Sequence, residues 1–145
     1  MPVQRRWFLS HGAGITLLHS RGLLMVSPQS IQAIIDRARQ AWLDGDGERF
    51  AQLFSPTGEM VVPGRRWCGP AAILAAFQAY AEHHQVTTIA IHNLVIQGNR
   101  AMVEWTWKDQ DKRTGFRSTA EDAIAVDVQD GQIQRWREYI DDTTP

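Results

Sequence analysis

The chain has 145 residues but only one cysteine and two tyrosines, and its six tryptophans outnumber its five phenylalanines. One cysteine excludes an internal disulfide, so a scaffold stapled by bridges is ruled out and a reducing, cytoplasmic setting is the expectation. No apolar run approaches the ~20 residues of a membrane-spanning helix. A chain of this size buries roughly 68 to 70% of its unfolded surface, enough for one core and too little for two. Hydrophobic residues make up 43% and charged residues 21%, the proportions of a globular domain.

Acid is missing from the first 27 residues, which carry Arg5, Arg6 and Arg21, while the remainder has 12 bases against 16 acids. An acidic body argues against a nucleic-acid partner, since phosphate binding needs a basic surface. Gln4-Arg5-Arg6-Trp7-Phe8-Leu9 is similar to a twin-arginine export signal. The apolar stretch behind it is interrupted by His11, His19 and Arg21, and no A-x-A-like cleavage site follows. Residues 1–27 are therefore expected to be a disordered or artefactual extension, with Met25 as an alternative start, and residues 28–142 the folded domain.

Along that domain, Ser27-Pro28 forms a helix start, and Ile31, Ile34, Ile35, Ala38 and Trp42 follow at helical spacing. The stretch 44–47 stops this helix. Phe50, Leu53 and Phe54 predict a second, shorter one ended by Ser55-Pro56-Thr57-Gly58. Residues 59–62 read as a strand, 65–68 as a loop, and Ile73, Leu74, Phe77 and Ala81 as the stripe of a third helix ending near His83-His84. Four β-branched and aromatic runs, 86–96, 100–108, 116–128 and 132–140, are separated by connections too short for parallel crossovers. The expected order is ααβαββββ, an α+β domain with helices against one face of a curved antiparallel sheet.

Strand alternation assigns the faces. Val103, Trp105 and Trp107 lie inward on one strand, Asp122, Ile124, Val126 and Val128 on the next, and Gln134, Trp136, Glu138 and Ile140 on the last. Arg135, Arg137 and Tyr139 then point outward. A two-residue loop at Asp130-Gly131 would set Val126 against Arg135. A three-residue loop, 129–131, instead opposes Val126 to Trp136, Ile124 to Glu138 and Asp122 to Ile140. Asp122 and Glu138 become diagonal neighbours on an otherwise apolar face, where desolvation and mutual repulsion must raise at least one pKa. Such a pair suits general acid–base work on a substrate held among indoles; it equally suits a structural role in which one carboxyl reaches water or a backbone group. Trp105, Trp107, Trp136 and Ile124 form the expected pocket lining, with Trp67 as a lip over its opening and Trp42 packing from the first helix.

Other candidates carry less. Cys68 has no sequence neighbour that activates a thiol. His83 and His84 point about 100° apart around a helix, which is not metal-pair spacing, so no metal site is expected. No glycine-rich strand-to-helix loop supports a nucleotide, and no cofactor is expected. Asp141-Asp142 reads as a solvated tail.

The element order and the run from Asp130 to Asp141, DGQIQRWREYID, resemble the nuclear-transport-factor-2-like superfamily, in the branch of SnoaL-like polyketide cyclases and limonene-epoxide hydrolases. The resemblance covers about residues 28–142 and includes Gly69 ahead of the third helix. It implies a cone-like α+β barrel, a curved sheet wrapped around a long helix, with a cavity at the wide end and homodimerisation through the outer sheet face. It also implies that Glu138 matches a catalytic acid of the epoxide hydrolases and Trp136 a pocket wall. The arginine and second acid of that set are replaced by Trp105 and Trp107, so epoxide hydrolysis does not carry over. Ketosteroid-isomerase-like members pair a carboxylate base with oxyanion donors, a part open here to Tyr80 or an indole N–H. The expected function is binding of a small apolar, carbonyl-bearing or polycyclic molecule, with Asp122 and Glu138 moving a proton in a cofactor-free isomerase, cyclase or dehydratase reaction. The alternative is a non-catalytic ligand-binding or dimerisation domain.

Overall fold

A computed structural model describes residues 27–144; of the expected extension, residues 1–26 lie outside the described residues and Ser27 belongs to the start of the first helix. Helix α1 (Pro28–Asp44) starts where Ser27 Oγ accepts the Ser30 N–H, with proline in the first turn. It ends at Gly45, whose positive φ of 67° closes the last turn. Its stripe Ile31, Ile34, Ile35, Ala38, Ala41 and Trp42 is buried.

Helix α2 (Gly47–Ala51) is shorter than the apolar spacing suggests. Phe54 opens strand β1 (Phe54–Val62) instead of closing that helix. Its aromatic ring is buried either way, so the burial signal alone did not separate the two. The segment expected as a loop is strand β2 (Arg65–Cys68), a short, largely exposed edge hairpinned to β1. Helix α3 (Pro70–His83) follows, then β3 (His84–Gln97), β4 (Arg100–Asp111), β5 (Arg117–Gln129) and β6 (Gln132–Asp142).

The six strands form one curved, unclosed sheet in the order β2-β1-β6-β5-β4-β3. All neighbours are antiparallel except β1 and β6, which run parallel and join the first half of the chain to the last. The α+β class thus holds, with one strand more than the sequence suggested.

The β5–β6 register opposes Val126 to Trp136, Ile124 to Glu138 and Asp122 to Ile140, as strand parity required. The extra residue needed for it lies elsewhere than expected. Gln129 pairs with Gln132 across a two-residue turn, Asp130 and Gly131 both at positive φ, and Gln134 is bulged out between the Val128–Ile133 and Asp127–Arg135 pairs. Its amide is tied to β1: the Ser55 hydroxyl donates to Gln134 Oε1 at 2.7 Å, and Gln134 Nε2 donates to Thr57 O at 3.3 Å. The β1–β6 ladder shifts at the same place, and a Cβ on Gly58 would meet Ile133 O at 2.6 Å. Glycine there permits the close approach of two backbones.

Candidate functional site

Beyond the well-packed lower half of the sheet, a cavity of about 960 Å³ opens between α3, the β1–β2 hairpin and the inner faces of β4 to β6. Its width follows from the sequence of α3, which turns Ala72, Ala75, Ala76 and Ala79 toward it. Met60, Val62 and Trp67 form the opposite wall, with Arg65 at the rim.

Asp122 and Glu138 both reach this cavity. Asp122 is 6% exposed, and its Oδ2 accepts the Trp105 indole N–H at 3.0 Å. Glu138 Oε1 accepts the Trp136 indole N–H at 2.6 Å from two residues back on the same strand. Burial raises the Asp122 pKa to about 6, against the indole bond, which favours the ionised form. Burial likewise raises Glu138 to about 7, and the Asp122 charge adds to the rise while the Trp136 bond opposes it.

Trp105, Trp136 and Ile124 do not line the cavity. Trp105 is 1% exposed and Trp136 and Ile124 are fully enclosed, all three belonging to the core beneath the two acids. The two indoles lie 5.8 Å apart between centroids and serve as a hydrogen-bonding base for the carboxyls. Trp107, Trp67 and Tyr80 do lie on the cavity wall. So does Trp42, stacked on Phe77 at 3.8 Å and edge-on to Trp107. Asp142, expected in a solvated tail, is exposed at the end of β6 and also borders the cavity, as do His83 and His84.

Among the titratable residues of the cavity, one that the sequence did not single out is central to its side wall. Asp109, 7% exposed, lies two positions beyond Trp107 on the inner face of β4. Its Oδ2 accepts the Tyr80 hydroxyl and also the Trp107 indole N–H, the latter at 3.1 Å. Burial and the Asp109 carboxylate together push the Tyr80 pKa well above the usual phenol range, so its hydroxyl keeps its proton. The run Lys108-Asp109-Gln110-Asp111 resembles a solvated strand end, and only the continued alternation Val103, Trp105, Trp107 marks position 109 as inward.

Among the described residues, no group of three His, Cys, Asp or Glu side chains is placed to hold a metal ion, and no helix is long and apolar enough to cross a membrane. Cys68 is exposed and free.

A search of curated protein sequences finds no match. Solved structures resemble the fold at low identity. An LEH-like epoxide hydrolase from M. tuberculosis matches with a TM-score of 0.69 and 17% identity, over 78% of this chain and 84% of that one. A proposed isomerase from Bacillus subtilis matches with a TM-score of 0.72 and 16% identity, over 78% and 87%. A proposed polyketide cyclase from Xanthomonas campestris matches at 0.66 and 20%, over 77% and 90%. The family model of the SnoaL-like domain matches residues 35–136, most of the chain, and the protein belongs to that family.

Proposed function

We propose that the protein binds a small apolar, carbonyl-bearing or polycyclic molecule in this cavity and moves a proton on it, in an isomerisation, cyclisation or dehydration that uses no cofactor. The observation that carries the reading is the pair Asp122 and Glu138, adjacent on the floor of an open cavity with pKa values near 6 and 7. General acid–base catalysis is most efficient when the pKa lies near the working pH. At pH 7 the lower value makes Asp122 the base and the higher one leaves a large share of Glu138 protonated as the acid. Asp122 takes a proton from carbon beside the carbonyl, Glu138 delivers one to the other end of the conjugated system, and the carboxyls return to their starting states by exchange with water.

Support also comes from the walls, where flat indole and phenol rings meet alanine-lined space, and from the isomerase and polyketide-cyclase descriptions of the similar folds. Homodimerisation through the outer face of the sheet belongs to the same reading; Val95 and Met102 are exposed there as a pair on β3 and β4, and Tyr139 on β6, with β5 between. The exposed thiol of Cys68 suits a reducing, cytoplasmic setting.

The test is proton exchange. The protein is mixed with 2-tetralone in D2O, and deuterium uptake at the carbon beside the carbonyl is followed by NMR for the wild type, Asp122→Asn and Glu138→Gln. The expected result is exchange above buffer that falls about a hundredfold or more in Asp122→Asn. Thermal stabilisation by the ketone that survives both substitutions, with no exchange in the wild type, makes the protein a binding domain only.

A further inference from the structure

The Asp109 carboxyl is unevenly satisfied. Both donors that reach it, the Tyr80 hydroxyl and the Trp107 indole N–H, are spent on Oδ2. Oδ1 is buried and has no hydrogen-bond partner within the chain. Among the described residues Asp109 also has no ion-pair partner: Lys108, beside it in the sequence, is exposed, and Lys112, three residues on, donates to Ala81 O. Burying an unpaired carboxylate oxygen is costly. The residue borders the cavity, so the cost is offset when a ligand displaces the side chains that cover Oδ1 and supplies the missing donor.

We infer that Asp109 is a specificity-determining anchor, whose Oδ1 accepts a hydrogen bond from an O–H or N–H on the ligand, with Tyr80 and Trp107 as positioning residues. This rests on the ligand-binding reading above and deepens it by naming a substrate class. The substrate carries two polar functions: one that reacts at Asp122 and Glu138, and a separate hydrogen-bond donor held at Asp109. Burial and the neighbouring acid keep the proton on the phenol, so Tyr80 donates to Oδ2, fixes the carboxyl plane and leaves Oδ1 without a bond. A methyl group or ether oxygen at that point leaves the oxygen unmet, and polar sites built in this way discriminate strongly against ligands that lack the donor.

Two matched probes test the anchor by binding alone, whether or not the protein turns over a substrate. Dissociation constants of 2-naphthol and 2-methoxynaphthalene are measured by calorimetry on the wild type, Asp109→Asn and Asp122→Asn. The wild type is expected to prefer the naphthol by about ten- to a hundredfold. Asp109→Asn keeps an oxygen for the Tyr80 and Trp107 donors and puts an N–H2 in place of Oδ1, which donates to the oxygen of either probe and accepts from neither, so the preference is expected to fall to about one. Because Asp122 Oδ1 is also without a partner, Asp122→Asn is the control: preference retained there and lost in Asp109→Asn assigns the donor to Asp109, and preference retained in Asp109→Asn overturns the anchor. Equal binding of the two probes by the wild type overturns the anchor and leaves the proton-transfer reading standing. Binding of neither overturns both. Should Asp109→Asn fail to fold, Tyr80→Phe, which removes one of the two donors that position the carboxyl, decides instead: a reduced preference is expected, and an unchanged one overturns the anchor.

Discussion

The cavity has two acidic regions built by the same device in different proportion. On the floor, each carboxyl rests on a single indole N–H, Trp105 under Asp122 and Trp136 under Glu138, and burial outweighs that one bond. On the side wall, one oxygen of Asp109 takes two donors, and one of them is a hydroxyl that burial and the acid together keep protonated. One bond leaves a carboxyl able to gain and lose a proton near neutrality; two bonds on one oxygen fix a carboxyl in place and aim the other oxygen. Tryptophan is the shared part, which accounts for a chain richer in indole than in any other aromatic.

The largest blow to this contrast is removal of a floor indole. Trp136→Ala empties the volume of a fully enclosed ring and strips Glu138 of its donor, and is expected to cost about 3–5 kcal/mol in a urea titration. Next is the charge itself. Both floor acids have folded pKa values, about 6 and 7, above their ordinary 3.8 and 4.5, so the native state holds more protons than the unfolded chain between about pH 4 and 7. Their contribution to stability is therefore complete below pH 4 and is lost as pH rises through 6 and 7. The double variant Asp122→Asn/Glu138→Gln is expected to flatten that slope and to be more stable than the wild type at pH 8, by about 2 kcal/mol per carboxyl. Thermal melts at pH 5 and pH 8 measure both effects.

The wall should respond otherwise. Tyr80→Phe removes one of two donors to Asp109 and is expected to cost about 1–2 kcal/mol, with the slope of stability between pH 5 and 8 unchanged, because the Tyr80 hydroxyl does not titrate there. A changed slope would merge the two regions into one titrating network. The smallest effect belongs to the support beneath both. Gln134→Ala keeps the bulged backbone but loses the amide bonds to Ser55 and Thr57, for about 1 kcal/mol, and leaves the pH slope in place.

Strand parity was enough to bring Asp122 and Glu138 together, because period-two alternation and the turn at Asp130-Gly131 admit few registers. It could not say how deep each inward residue sits. Trp105, Trp136 and Ile124 face inward as expected, yet they fall where helices cover the sheet, and Trp107 falls one step beyond that cover. Depth depends on where α1 and α3 end over the strands, a tertiary fact that no single strand records. Asp109 was missed for a related reason: its partner Tyr80 lies 29 residues away on a helix, and its sequence neighbours are polar. The edge strand β2 was missed because four largely exposed residues with two arginines show no alternation.

The indoles beneath the floor have a spectroscopic consequence. Each is held against a carboxyl that changes protonation near neutral pH, so the environment of a buried chromophore changes whenever the acid does. The protein thus carries a built-in reporter of its own proton loading: tryptophan emission should shift between pH 5 and pH 8, and a ligand that draws a proton from the floor should shift it at constant pH.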